Sequence, residues 1–324
     1  MRVLLVVNAA ASSVTPRRQV LVRKVLAAGH DVEMVETGHR GHATELARAA
    51  VRAGTDCVVA LGGDGTLNEV ATALSGTECA LAALPGGSTN VFARTLGLPE
   101  DTVLAASVIG DALAAGSIER IGLGEVDGRA FAFHTGIGWD AALVAEVERH
   151  GRLKGYANHA LFVWAGLRTF FATYDRSSPH FTVTFGDGSG PGDTIEDAYF
   201  TLVQNSDPYT FVGGRPFSVA PTADLHRPFS VVTLRSMTVP RFLGVMSDAL
   251  RGGGVRPGRW VDVRSDVSSL TVHRRTTMPY QVDGDHMGQA EELRLVHRPD
   301  AVRLVVPPAS LARRTGAARS RPRA

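Results

Sequence analysis

The stretch DCVVALGGDGTLNEV, Asp56–Val70, decides how the rest of the chain is read. Asp56–Leu61 is a short apolar run of strand type, Gly62–Thr66 breaks it, and Leu67–Leu74 resumes at helical spacing. Glycines leave the backbone free to take positive φ, and their N–H groups can approach an anion with no side chain in the way. The helix that follows turns its positive end to the same point. Gly62, Gly63, Asp64, Gly65 and Thr66 therefore read as a phosphate cradle. Asp64 is suited to a Mg²⁺ ion reached through water, and Thr66 to either a helix cap or a phosphate contact. Asn68 and Glu69 fall in the first turn of the helix. A plain tight turn would use the same residues. The place of this loop, at the end of a buried parallel strand where open sheets take ligands, favours the cradle. No GK[ST] follows, so it is not a Walker loop.

Toward the N-terminus, Arg2–Val7 and Asp31–Glu36 are strand-like while Gln19–Ala28 and Ala43–Ala53 have helical spacing. Toward the C-terminus, Leu81–Leu84 is another buried strand before the turn Pro85–Ser88. This β-α-β order predicts an α/β fold whose first part is a doubly wound parallel sheet with helices on both faces. From about Ile118 the segments Phe131–His134, Phe181–Phe185, Tyr199–Val203, Ser230–Leu234, Ser269–His273, Glu292–Val296 and Ala301–Val305 are short and separated by turn residues. They predict a second, mainly antiparallel β domain, interrupted by helices at Ala141–Arg149, Ala157–Tyr174 and Phe242–Leu250. The expected division is 1–116 and 117–300, with residues from about 301 to 324 able to complete the first domain.

At 324 residues and 44% hydrophobic content the chain can bury a large core, and a net charge of +2 gives no reason to expect nucleic acid. Cys57 lies inside the apolar run Asp56–Leu61 and Cys79 before another, neither in a metal-ligand spacing, as small core residues of a reduced compartment do. The apolar part of MRVLLVVNAA is too short for a secretory signal, and Ala157–Tyr174 is interrupted by Asn158, His159 and Arg168. A cytoplasmic location is expected. Arg313, Arg314, Arg319, Arg321 and Arg323 form a basic tail, either solvated or drawn to an anionic membrane.

GGDGTLNEV at Gly62–Val70, followed by LPGGSTNVFAR at Leu84–Arg94, resembles the diacylglycerol kinase catalytic-domain family, which includes bacterial lipid kinases and sphingosine kinases. The resemblance implies ATP and Mg²⁺ as cofactors and an NAD-kinase-like nucleotide-binding domain. Ser88 stands where the family has threonine and is implied to touch the nucleotide, Asn90 matches the family's asparagine, and Val91 replaces a common aspartate. Without the family, Pro85–Asn90 is either a turn with a helix cap or a ligand loop. Asn8 matches the end of the family's first strand, although Ala9 replaces the usual proline, and Thr37 in ETGHRGHATELA is implied to be a nucleotide contact. Gly136–Ala141 and the stretch from Gly151 to Leu167 resemble the start of the family's second domain, while Asp140 alone reads as a helix cap.

Tyr280-Gln281-Val282-Asp283-Gly284-Asp285 resembles the family's Gln-x-Asp-Gly-Glu. This makes Asp283 the implied general base for a lipid hydroxyl and puts Asp285 at the glutamate position. On its own, Asp-Gly between short strands signals a hairpin. The acidic turn that holds a structural Mg²⁺ in bacterial members is replaced by His226, Arg227 and Pro228, so no such ion is expected. The implied reaction is transfer of the ATP γ-phosphate to diacylglycerol or a related lipid met at a membrane surface, with Asp64 and Asp283 as the catalytic carboxylates. Phe162, Trp164, Phe170 and Phe171 would offer the acyl chain apolar surface. NAD kinase shares the glycine loop, but its Asn-x-Gly-x-Leu-Gly-Phe strand is absent. A non-catalytic nucleotide-binding membrane module would account for Val91 and the basic tail. Oligomeric state is left open, a homodimer included.

Overall fold

The computed structural model describes residues 1–139, 141–144, 175, 177–186, 188, 190 and 193–308. The chain divides into two compact units, Met1–Ile121 with the chain from Asp300 onward, and Gly122–Pro299.

Unit 1 alternates β1 (Arg2–Val7), α1 (Pro16–Ala27), β2 (Asp31–Glu36), α2 (His42–Arg52), β3 (Cys57–Gly62), α3 (Asp64–Leu74) and β4 (Ala80–Pro85), then α4 (Val91–Thr95) and α5 (Thr102–Ala114). The strands pair in parallel in the order β2-β1-β3-β4, with Leu5 opposite Met34 on one side and Val59 on the other. Every residue of β3 and β4 is buried, which is why both read as unbroken apolar runs. Helix α1 packs with α5 and α2 with α3. Arg303 and Leu304 add a further parallel strand beside β4.

Helix α5 has no counterpart in the sequence reading. TVLAASVIGDALA is apolar around most of its circumference, so no stripe marks it. The signal that could have found it is Asp101, whose carboxylate accepts from Val103 N at 3.0 Å and Leu104 N at 2.9 Å.

From the end of unit 1 the chain continues through β5 (Ile118–Val126), β6 (Arg129–Phe131), β7 (His134–Gly138), β8 (Phe181–Phe185), β9 (Thr194–Ala198), β10 (Phe200–Gln204), β11 (Thr210–Val212) and β12 (Arg215–Phe217). It then forms β13 (Phe229–Leu234), α6 (Val239–Leu250), β14 (Val261–Val267), β15 (Ser269–Val282) and β16 (Asp285–Val305). Neighbours in the order β14-β13-β10-β7-β15-β16 are antiparallel. Phe131, Val183, Phe229 and Leu293 centre one apolar cluster of unit 2, and Trp139, Leu202, Met237 and Phe242 another. Glu292–Val296 and Ala301–Val305, expected as separate strands, are one strand that bends at Asp300, φ 51°, without ending.

Residues 141–144 are helical. The rest of the helix expected to 149, the helix expected at 157–174 with Phe162, Trp164, Phe170 and Phe171, Asp140, and the basic tail lie outside the described residues. Among the described residues no helix is long and apolar enough to cross a membrane.

Candidate functional site

In unit 1 the strand order reverses between β1 and β3, and the candidate loops leave the carboxyl ends of β1, β3 and β4. Open α/β sheets bind ligands at such a point. Two Gly-Gly pairs meet there, backbone against backbone. Gly86 N donates to Gly62 O at 2.9 Å. A Cβ on Gly86 would come within 2.9 Å of Gly62 Cα, and one on Gly87 within 2.8 Å of Gly63 Cα. Only hydrogen fits at either position. Gly86 and Gly87 were quoted in the motif without a role; a second Gly-Gly following a second buried strand was the signal for one.

Side chains lock this contact. Asp64 Oδ2 accepts from Val91 N at 3.0 Å and Oδ1 from Phe92 N at 3.2 Å, so the first loop's carboxylate caps the helix of the second. The residue keeps some exposure, but its carboxyl group is enclosed, and burial raises its pKa against the lowering effect of those two N–H donors. Asn90, at φ 49°, folds its amide back so that Oδ1 accepts from Gly86 N at 3.1 Å and Gly87 N at 2.7 Å. Asn8 donates to Thr66 Oγ1 at 3.0 Å and fixes that buried hydroxyl. Glu69 accepts from Gly41 N at 2.9 Å and Ala43 N at 3.1 Å, holding the start of α2 and with it the loop that carries Thr37. Asn68 is buried within α3.

What remains open is chemically specific. Gly63, at φ −84°, caps α3 without a side chain; Thr66 N and Leu67 N donate to Gly63 O at 3.0 and 3.2 Å, which leaves the N–H groups of Asp64 and Gly65 as the open ones of the first turn. The amides of α4 are already taken by Asp64, so those of α3 are the ones left for an anion. Exposed Ser88 and half-exposed Thr37 make no side-chain hydrogen bond among the described residues. The space between Asp64, Leu67, Leu84 and Ala93 is only about 10 Å³, too small for a nucleotide. His39 and His42 stack at 4.7 Å beside Glu45 in the Thr37 loop. His42 Nδ1 accepts from Gly38 N at 2.9 Å, so in the neutral ring Nε2 carries the proton and is no metal ligand.

The acceptor-side residues belong to unit 2. Asp283, φ 49°, and Gly284, φ 85°, form the two-residue turn between β15 and β16. The Asp283 carboxylate is 7% exposed in whole-residue terms and accepts from Ala132 N at 2.8 Å, Phe133 N at 2.9 Å and His134 N at 3.0 Å. It clasps the bend between β6 and β7. Asp285 pairs with Arg129 at 3.0 Å, and the buried Gln281 accepts from Gly284 N at 2.8 Å. His134, which sequence reasoning passed over, packs its ring 4.3 Å from Tyr209, and burial pushes its pKa down to about 3. In the turn before β13, Asp224 Oδ1 accepts from His226 N and Arg227 forms a two-point pair with Asp266. A cationic side chain beside one committed carboxylate does not fit a structural Mg²⁺.

Residues 2–126, which include both glycine loops, match the family model described as diacylglycerol kinase catalytic domain. Over that part the chain is similar to the diacylglycerol kinase catalytic-domain family. One similar protein is the diacylglycerol kinase of Bacillus subtilis (strain 168), 26% identical over 83% of this chain and 84% of its own length. A probable lipid kinase YegS-like of Pseudomonas fluorescens is 27% identical over 87% of each chain. A crystal structure of a putative diacylglycerol kinase from Bacillus anthracis str. Sterne shares the fold, with a TM-score of 0.74, 21% identity and coverage of 95% of this chain and 98% of that one. An NAD kinase from Archaeoglobus fulgidus, solved in complex with ATP, follows at TM-score 0.53 and 12% identity over 99% of this chain and 100% of that one.

Proposed function

We propose that the protein transfers the γ-phosphate of Mg-ATP to the hydroxyl of a lipid, diacylglycerol or a close relative. The observation that supports this most is the pair of interlocked glycine loops with open α3 amides at the carboxyl end of the parallel sheet. ATP would supply the transferable phosphoryl group, and its Mg²⁺ would neutralise phosphate charge. The N–H groups at the start of α3 bind phosphate oxygens, and the Thr37 and Ser88 hydroxyls orient the nucleotide. Asp64 holds the second loop in register; with both oxygens on main-chain N–H groups it would help hold Mg²⁺ only through water.

Asp283 is the proposed acceptor of the lipid hydroxyl's proton. Three backbone donors fix the position of its carboxylate, which suits a reaction whose loose transition state needs placement more than strong base strength. Asp285, paired with Arg129, completes that turn.

The test is transfer of labelled γ-phosphate from Mg-ATP to diacylglycerol, a sphingoid base, ceramide and NAD, with Asp283→Asn alongside. Label in a lipid and its loss in Asp283→Asn, with ATP binding and near-ultraviolet dichroism retained, is the expected result. Label in NAD alone would remove the lipid-kinase reading, and full turnover by Asp283→Asn would remove the base.

A further inference from the structure

Seven large hydrophobic side chains are exposed among the described residues, and three of them belong to unit 2: Val212 at 42%, Leu243 at 58% and Leu250 at 52%. These three are not scattered. Leu243 and Leu250 lie seven residues apart on α6, and so on one face of it. Val212 is at the tip of the β11–β12 hairpin, and β12 packs beside α6. The opposite face of α6 is anchored by Phe242, Val245 and Ala249 in the unit's core. The helix is therefore apolar on both sides, which a surface helix with only water outside has no reason to be.

The charge around these residues has one sign. Segments 209–217 and 239–260 carry Arg215, Arg241, Arg251, Arg256 and Arg259 against a single acid, Asp248. Their net charge of +4 exceeds the +2 of the whole chain. Asp248 is shared by Arg251 at 3.9 Å and Arg256 at 3.2 Å, so it neutralises at most one of them. Half-buried Trp260 carries the guanidinium groups of Arg241 and Arg259 against its ring, at 4.0 and 4.7 Å from the ring centroid. Exposed leucines, a tryptophan and arginines with few acids are the composition of a surface that inserts apolar side chains among lipid headgroups while cations meet anionic phosphates.

We infer that α6, its following loop to Trp260 and the β11–β12 tip form a face that docks on an anionic lipid bilayer. This face is distinct from the arginine tail. Its purpose rests on the proposed lipid acceptor, because a protein whose substrate stays in the bilayer must meet the bilayer; its geometry does not rest on that reading. Leu243, Leu250 and Val212 leave water on docking, and the arginines supply an attraction that weakens with salt.

The experiment is cosedimentation of the full chain with vesicles of phosphatidylcholine alone or mixed with phosphatidylglycerol, over a range of salt. Binding to the mixed vesicles, weakened by salt and by omission of phosphatidylglycerol, is expected. Leu243→Ser with Leu250→Ser, and separately Arg256→Ser with Arg259→Ser, should each weaken it on the order of tenfold. Thermal unfolding should stay as in the parent, since all four side chains are exposed. Unchanged binding in both pairs would overturn the inference, as would loss of binding only when the five tail arginines become serine. A leucine pair that converts a dimer to a monomer by light scattering while vesicle binding persists would also overturn it and assign the face to a second copy. Phosphorylation of a dispersed short-chain diacylglycerol separates the two ideas: it should proceed at the parental rate in these variants. Its absence in every protein would count against the lipid kinase alone, leaving the vesicle result to decide the surface.

Discussion

Gly87 has room for a hydrogen and nothing larger, since a Cβ would stand 2.8 Å from the Cα of Gly63. Its neighbour across the contact is different. A Cβ on Gly63 would meet Gly87 Cα at an ordinary 3.6 Å, and φ −84° there suits any residue. Gly87→Ala should therefore destabilise the protein by about 1–3 kcal/mol through forced backbone separation, whereas Gly63→Ala should change stability by less than about 1 kcal/mol. Chemical denaturation of the two variants side by side checks the asymmetry. The sequence alone ranks these glycines equally, because the contact joins residues from loops more than twenty positions apart. The same limit applies to Asp64 and Asp283. Both were legible as singular carboxylates, but that one caps α4 and the other clasps the bend before β7 depends on which backbone the fold brings to them.

Glu69 shows how one helix can position the start of another. From α3 it reaches Gly41 N and Ala43 N of α2, whose own cap residue, Gly41 at φ 87°, offers no side chain. Glu69→Ala should cost about 1–2 kcal/mol, the range for a lost helix cap, and should also weaken ATP binding by loosening the Thr37 loop. Denaturant unfolding and a nucleotide titration on one preparation would read both effects. At this scale the alternation of strand and helix up to β4 was plain in the sequence, since buried parallel strands and amphipathic helices have different periods. Helix α5 was hidden by its even hydrophobicity, and the length of β15 and β16 by turn residues that bend strands without ending them.

For the molecule as a whole, buried histidines set an acid limit. Burial lowers the pKa of His134 to about 3 and also lowers that of His297. A folded pKa below the unfolded value means that the unfolded chain takes up a proton the folded one refuses. This stability is complete above the unfolded value near 6.5 and is lost as pH falls toward the folded one. Between pH 6.5 and 5 His134 should contribute up to about 1.4 kcal/mol of loss per pH unit, and His297 acts in the same direction. His134→Gln should flatten that slope by roughly one proton, measured by urea unfolding across the range. The change from a parallel sheet to an antiparallel region and the glycine loops were legible in the sequence, whereas the face on α6 was not, because apolar residues at helical spacing read equally well as core.

Whether ATP sits on the two glycine loops is tested most directly by titrating Mg-ATP into the parent protein and into the Thr37→Val, Ser88→Ala double variant. Neither hydroxyl makes a side-chain hydrogen bond within the described fold, so unfolding should be unchanged while affinity drops about tenfold, the loss of two modest hydrogen bonds. Equal affinity in both proteins, or no saturable binding by the parent, would contradict the site.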